Sequence, residues 1–126
     1  MDKVVHFEIP ASDMAGAQEF YSKIFGWQFV KYNDWYSTVR TVEVDENMMP
    51  KESGAINGGL QKRNYKAVSP TVVISVDDID AKIMQIEKAG GKVVVPKEAI
   101  GDMGFYAQFF DPDGNRIGLF QASKKM

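Results

Sequence analysis

The stretch Asp111-Pro-Asp-Gly-Asn-Arg-Ile-Gly-Leu-Phe-Gln121 (DPDGNRIGLFQ) decides the fold. Its first four residues form a turn sequence, because proline and glycine supply the dihedral angles of a tight turn. The apolar run that follows predicts a strand from Arg116 to Gln121. The centre of that strand, IGLF (117–120), has an echo in GGLQ (58–61), half a chain earlier. The echo indicates an internal duplication.

The same order of predicted elements precedes each echo. The first half has a strand at Val4 to Ile9, a helix from Ser12-Asp13 to Gly26, a hairpin of Trp27 to Tyr32 and Trp35 to Val44, and a strand at Ala55 to Gln61. The second half has a strand at Thr71 to Val76, a helix from Asp77-Asp78 to Gly90-Gly91, strands at Lys92 to Pro96 and Phe105 to Phe110, and the closing strand. Glu46 to Ser53 and Glu98 to Gly104 are predicted loops. We therefore predict one domain of two repeats, at about 1–61 and 70–122.

The predicted fold class is α+β, with two βαβββ units forming a curved mixed β-sheet and the helices on its outer face. Each helix can cover only one face of its four strands, so the other face must be buried in a different way. A curved sheet leaves a concavity, which is where small molecules bind. We therefore expect a small-molecule ligand as the partner of this chain.

Composition excludes several other partners and sites. The 15 Lys and Arg residues are scattered among 17 Asp and Glu, so no basic stripe indicates nucleic acid. No apolar run approaches the roughly 20 residues of a membrane span, and no secretory signal is evident. The absence of cysteine excludes disulfides and thiolate chemistry. We expect a cytoplasmic protein with no membrane partner.

The residues quoted above, together with the opening VVHFEIPASDMAGAQEFYSKIFGW (4–27), resemble the vicinal-oxygen-chelate superfamily. This superfamily contains glyoxalase I, bleomycin-resistance proteins and extradiol dioxygenases. The resemblance covers nearly the whole chain and implies a homodimer, the commonest assembly. In the metal-dependent members, it further implies that the first and last strands of each unit supply ligands to one divalent ion.

The resemblance places His6, Gly59, Thr71 and Gly118 at the four ligand positions. Glycine has no donor atom and a threonine hydroxyl is a poor ligand for a divalent cation, so His6 would hold the ion alone. We therefore expect no metal and no other cofactor, as in the glyoxalase-like branch that lacks the metal ligands. Glu8, helped by a partner chain or by a loop carboxylate such as Asp102, is the remaining route to a metal site.

His6 and Glu8 are the catalytic candidates, because imidazoles exchange protons near neutral pH and a nearby carboxylate can orient the ring. The alternative is a hydrogen-bonded histidine retained from a metal-binding plan. The ligand-binding candidates are Gly59, Thr71, Gly118, Arg116, Phe120, Trp35 and Tyr106. Arg116 suits a carboxylate or phosphate of a ligand, or an acid of the protein. The space left by the two glycines must be filled by a ligand or by neighbours such as Phe120 and Arg116.

Three functions stay open at this point. The first is the conversion of a small organic molecule without a metal, by an isomerase, lyase or oxygenase type of reaction that uses His6. The second is sequestration of a drug or metabolite without catalysis, which depends on aromatic pocket residues. The third is a metal-dependent lyase or dioxygenase. Whether the chain is an enzyme is left undecided by the sequence.

Overall fold

The computed structural model describes residues 1–123, which form eight strands and two helices. In chain order these are β1 (Val4–Ala11), α1 (Met14–Phe25), β2 (Gln28–Asn33), β3 (Tyr36–Arg40), β4 (Gly58–Lys62), β5 (Thr71–Ser75), α2 (Ile79–Lys88), β6 (Lys92–Ile100), β7 (Gly104–Phe110) and β8 (Arg116–Ala122). The order βαβββ occurs twice, so the predicted α+β class and its two repeats are confirmed. Within these residues, neither helix is long and apolar enough to cross a membrane.

Contacts divide the chain into two compact units. The first unit is His6–Pro70, and the second joins Met1–Val5 to the segment that begins at Thr71. The first residues belong with the second unit because Lys3 O accepts a hydrogen bond from Ser75 N at 2.9 Å. The sequence placed these residues in the first repeat, since nothing in their letters signals a partner so far along the chain.

In the first unit the strand order is β2-β3-β4-β1. The strands β1 and β4 are parallel, whereas β3 is antiparallel to both β2 and β4. The helix α1 begins after Asp13, whose side chain accepts from Gly16 N, and ends at Gly26 with φ 73°. Both ends follow the sequence signals, because a carboxylate satisfies free N–H groups and glycine tolerates the left-handed conformation.

The helix α1 covers one face of its sheet. Leu60, Val39 and Ala11 are buried there, packed against Phe7, Ile9 and Trp27 among others. Burial of each large apolar side chain contributes about 1.5–3 kcal/mol. Because side chains alternate along a strand, His6 and Glu8 lie on the opposite face of β1. On the far side of α1, Phe20 and Ile24 are 56% and 57% exposed.

The second unit repeats this plan with the strand order β5-β8-β7-β6. Asp78 caps α2, and Gln121 Oε1 accepts from Ile79 N at 2.8 Å. The core beneath α2 consists of Val76, Ile79, Ala107 and Leu119, with Ile83, Ile86, Phe105 and Phe109 packed against it. The other face of β7 and β8 therefore carries Tyr106, Gln108, Arg116, Gly118 and Phe120.

One loop prediction is wrong. The strand β6 extends to Ile100, and Glu98 pairs with Tyr106 on β7, so the segment after Glu98 is mostly hairpin rather than loop. Pro96 lies where the register shifts between Val95 and Glu98. Proline cannot donate a ladder hydrogen bond and is tolerated at a bulge, so it marks an irregularity here rather than the end of the strand.

Candidate functional site

Three polar side chains meet on the uncovered face of the first unit, and we call them the His6 cluster. His6 Nε2 lies 3.7 Å from Glu8 Oε2 and 3.4 Å from the Tyr36 hydroxyl. The same hydroxyl donates to Glu8 Oε2 at 3.4 Å. The side chains of His6 and Glu8 are 33% and 15% exposed, so the imidazole is within reach of a small molecule while the carboxylate is largely shielded.

Tyr36 acts in this cluster as a hydrogen-bond donor whose phenol stays protonated. Burial raises the pKa of the Tyr36 phenol far above its usual value, and the neighbouring Glu8 charge raises it further. Both effects disfavour a phenolate, because that second negative charge would be poorly solvated and would face a carboxylate. Tyr36 therefore offers an O–H group over the whole range of ordinary pH.

Tyr36 also explains why residue 59 is a glycine. In the register of the first unit, Glu8 lies opposite Gly59 on one side and Thr38 lies opposite it on the other. A Cβ on Gly59 would overlap the Tyr36 hydroxyl, and it would stand 2.5 Å from Tyr36 Cζ. The phenol thus fills the volume that a side chain at position 59 would take.

Four side chains form a second cluster on the uncovered face of the other unit, and we call them the Arg116 cluster. Arg116 Nη1 donates to Gln108 Oε1 at 2.5 Å, and Gln108 Nε2 donates to the Tyr106 hydroxyl at 2.7 Å. The guanidinium carbon lies 5.0 Å from the centre of the Phe110 ring. Gln108 is 3% exposed, so the connection between the two outer side chains is shielded from water.

The two clusters are related by the internal duplication. Gly118 pairs with Val73 on β5 just as Gly59 pairs with Glu8 on β1. A Cβ on Gly118 would stand 2.9 Å from the Tyr106 hydroxyl. Tyr106 therefore occupies in the second unit the place that Tyr36 occupies in the first. The two phenols fill the space beside Gly59 and Gly118.

The donor set does not fit the divalent metal that the resemblance implies for metal-dependent members. The closing position of each unit is a glycine, and a tyrosine hydroxyl lies where a longer side chain would begin. Thr71, the counterpart of His6, is 4% exposed and offers only a hydroxyl. Among the described residues, no three His, Cys, Asp or Glu side chains gather as a metal site would require.

The structure brings some of the predicted site residues together and separates others. His6, Glu8 and Gly59 lie side by side in the first unit, and Tyr106, Arg116, Gly118 and Phe120 share a face of the second. Trp35 lies in the turn between β2 and β3 with 52% of its surface exposed, and Asp102 is exposed in the turn after β6. Their part in a ligand site stays a prediction.

Sequence reasoning missed Tyr36 and Gln108 as members of these clusters. Trp35 is the residue that the sequence predicts for the ligand site, whereas in the structure its neighbour Tyr36 lies on the face of His6; alternation puts only one of two consecutive residues on a given face. A signal for Tyr36 was available, since Tyr36 and Tyr106 stand at corresponding places in the two repeats. The residue of the first unit that corresponds to Gln108 is Thr38, so comparison of the two repeats gives no signal for Gln108.

Comparison with known proteins places the chain in a family. Residues 3–119 match the model of the Glyoxalase/Bleomycin resistance protein/Dioxygenase superfamily. A glyoxylase-like domain-containing protein of Didymella fabae is 31% identical over 110 residues, which are 86% of this chain and 84% of that protein. CFP32 of Mycobacterium tuberculosis is 27% identical over 131 residues, which are 93% of this chain but 44% of that protein. The chain thus spans less than half the length of this curated relative.

A solved structure supports the same assignment of the fold. A glyoxalase/bleomycin resistance protein/dioxygenase superfamily member from Vibrio splendidus superimposes on the chain with a TM-score of 0.62 and 18% sequence identity. The match covers 96% of this chain and 99% of that one. The duplicated βαβββ units, the family model and the fungal relative agree, and the chain belongs to the glyoxalase/bleomycin resistance/dioxygenase superfamily.

Proposed function

We propose that this chain binds a small organic molecule and transfers a proton on it through His6, without a bound metal. The observation that supports the proposal is the His6 cluster itself. An imidazole, a carboxylate and a protonated phenol lie within 3.4–3.7 Å of one another on a face that α1 leaves uncovered. This is the arrangement of a general base that is held by two partners.

The neighbours of His6 select the nitrogen that acts as the base. Oxygen atoms of both Glu8 and Tyr36 face Nε2, so the proton of the neutral ring is best placed on Nε2. The lone pair then lies on Nδ1, which has no hydrogen bond within residues 1–123. Nδ1 takes a proton from the bound molecule, and the Glu8 carboxylate stabilises the imidazolium that forms. The return of that proton to another atom of the molecule completes an isomerisation.

Deuterium exchange tests this proposal without a known product. Compounds that raise the melting temperature of the protein in a library screen are incubated with it in D₂O, because ligands of the native state stabilise it. Proton NMR then follows the loss of individual C–H signals. We expect exchange with wild type and a large loss of exchange with His6→Gln, while the melting shift persists. Equal exchange in both proteins would contradict the base role, and binding without exchange would instead indicate sequestration.

We include a homodimer and a cytoplasmic location in this proposal. The dimer is supported by the outward side of α1, where Phe20, Ile24 and Phe25 are 56–59% exposed, an apolar patch that a second copy would cover. Light scattering on the purified chain is expected to give twice the monomer mass, and Phe20→Glu is expected to give the monomer. A wild-type monomer at high protein concentration would refute this part alone.

A further inference from the structure

Arg116 is a half-buried cation, and no counter-charge pairs with it among the described residues. Its one hydrogen bond within residues 1–123 is made by Nη1, to the neutral amide of Gln108. Nε is enclosed by protein and has no hydrogen-bond partner. No carboxylate of the described residues pairs with the guanidinium, although the chain carries 17 acidic residues. Among the described residues, the structure therefore does not bear out the alternative that Arg116 pairs with an acid of the protein.

Such an arrangement is costly unless a ligand completes it. A buried donor that loses its partner destabilises the folded state, and the cost is larger when the group is charged. Arginine is seldom buried in folded proteins unless an anion or a hydrogen-bond acceptor accompanies it. Nη2, the remaining terminal nitrogen, makes no hydrogen bond to the described residues and is not enclosed as Nε is. Nη2 is therefore the donor that an oxyanion can reach, while Nε keeps the positive charge close to the protein surface.

The surroundings hold the guanidinium in place for this purpose. Arginine has no acceptor atom, so the Gln108 amide must turn its oxygen to Arg116 and its nitrogen to Tyr106. This fixes the amide, which in turn fixes Nη1. The Phe110 ring, 5.0 Å from the guanidinium carbon, supports the cation from one side. The cation is therefore preorganised, and a ligand need not order it.

We propose that Arg116 binds the carboxylate of a small organic acid on the face of β7 and β8 that α2 leaves uncovered. A carboxylate is favoured over a phosphate because one guanidinium balances a single negative charge, whereas a phosphate dianion calls for more than one cation. Phe110 and Phe120 offer apolar surface for the body of the acid. The proposal rests on the Arg116 cluster alone and does not depend on proton transfer by His6.

Arginine Nε–H signals in ¹H–¹⁵N spectra test the proposal directly, because the chain has three arginines, Arg40, Arg63 and Arg116. Benzoate is titrated as the probe, with benzamide as its neutral match and inorganic phosphate as the second anion. We expect benzoate to shift the Arg116 signal saturably, and the other two probes to leave it in place. An unshifted Arg116 signal, or an equal response to benzamide or to phosphate alone, would overturn the proposal.

Three variants separate recognition from folding. Arg116→Gln is expected to weaken benzoate binding by about tenfold or more, as the loss of charge-assisted hydrogen bonds implies. Arg63→Gln is the matched control, since Arg63 donates to Val68 O at an exposed site. Gln108→Glu keeps the side-chain shape but supplies an internal carboxylate, so it should abolish benzoate binding while raising the melting temperature. Undiminished binding by a folded Gln108→Glu or Arg116→Gln protein would refute the assignment.

Discussion

The uncovered faces of the two units share one arrangement and differ in their charge. In each unit a tyrosine hydroxyl lies over the glycine of the closing strand, Tyr36 over Gly59 and Tyr106 over Gly118. The first tyrosine bonds to a carboxylate, whereas the second accepts from an amide that holds a guanidinium. The duplicated backbone therefore sets the position of the phenol, and the neighbouring side chains set the chemistry of each face.

The largest effect is expected at His6, which the second unit replaces with Thr71. Removal of a general base lowers a proton-transfer rate by about 10²- to 10⁴-fold. We expect a loss of that size in His6→Gln, measured as the rate of C–H exchange in D₂O. Lys62→Ala, an exposed change at the end of β4 on the opposite face of the same sheet, is the control and should leave the rate unchanged. A comparable loss in both variants would show that the effect is structural.

Glycine substitutions compare the packing of the two phenols. Gly59→Ala forces the added methyl group against the partly buried Tyr36 ring, and overpacking of this kind costs about 1–3 kcal/mol of unfolding free energy. At Gly118 the closest atom is the Tyr106 hydroxyl at 2.9 Å, so a small shift relieves the contact. The lower chain entropy of unfolded alanine offsets about 0.4–1 kcal/mol of that cost. Urea denaturation should therefore show the larger loss for Gly59→Ala.

A double substitution sharpens this comparison. If the overlap with the phenol is the cause, Tyr36→Ala combined with Gly59→Ala should cost less than the sum of the single changes. Strict additivity would mean that the methyl group at position 59 is resisted by something other than Tyr36.

Alkaline pH provides a further test of Tyr36. Folding raises the pKa of Tyr36 above its unfolded value, which is near 10.0. At a pH between the unfolded and the folded pKa, the folded protein therefore holds a phenol proton that the unfolded chain has lost. The unfolding free energy is unaffected by this group below that range and falls as pH rises through it, by at most about 1.4 kcal/mol per pH unit. Tyr36→Phe should reduce this slope, whereas Tyr65→Phe, at a site 77% exposed, should not. Equal slopes in all three proteins would contradict the burial argument.

The smallest effects are expected at the helix caps, where the two units are alike. Asp13 accepts from Gly16 N, and Asp78 accepts from the backbone of Asp80 and Ala81. Asp13→Ala and Asp78→Ala should each cost about 1 kcal/mol of unfolding free energy, measured by urea denaturation. No change in either variant would mean that backbone or water contacts already satisfy those helix starts.

Local signals made the fold readable from the sequence, whereas the clusters depend on relations across strands. Asp13, Gly26 and Asp78 act through backbone groups only a few residues away, so their roles follow from spacing. Tyr36 meets Gly59 only because β3 and β4 pair in one register, with Tyr36 opposite Gln61. A shift of one residue would turn Trp35 to that face instead. The sequence therefore located the strand and missed which of its residues joins His6.

The central claim is that Tyr36 and Tyr106 occupy the places where metal-ligating side chains would otherwise begin. The metal content of the purified protein tests this claim most directly. The protein is purified without chelator and measured by elemental mass spectrometry, and its melting temperature is recorded with added nickel, zinc, manganese and iron. We expect far less than one ion per chain and no metal-dependent rise in melting temperature. A content of about one ion per chain that His6→Gln abolishes would contradict the account. A rise in melting temperature with one of these metals would contradict it as well, because a ligand of the native state stabilises the fold.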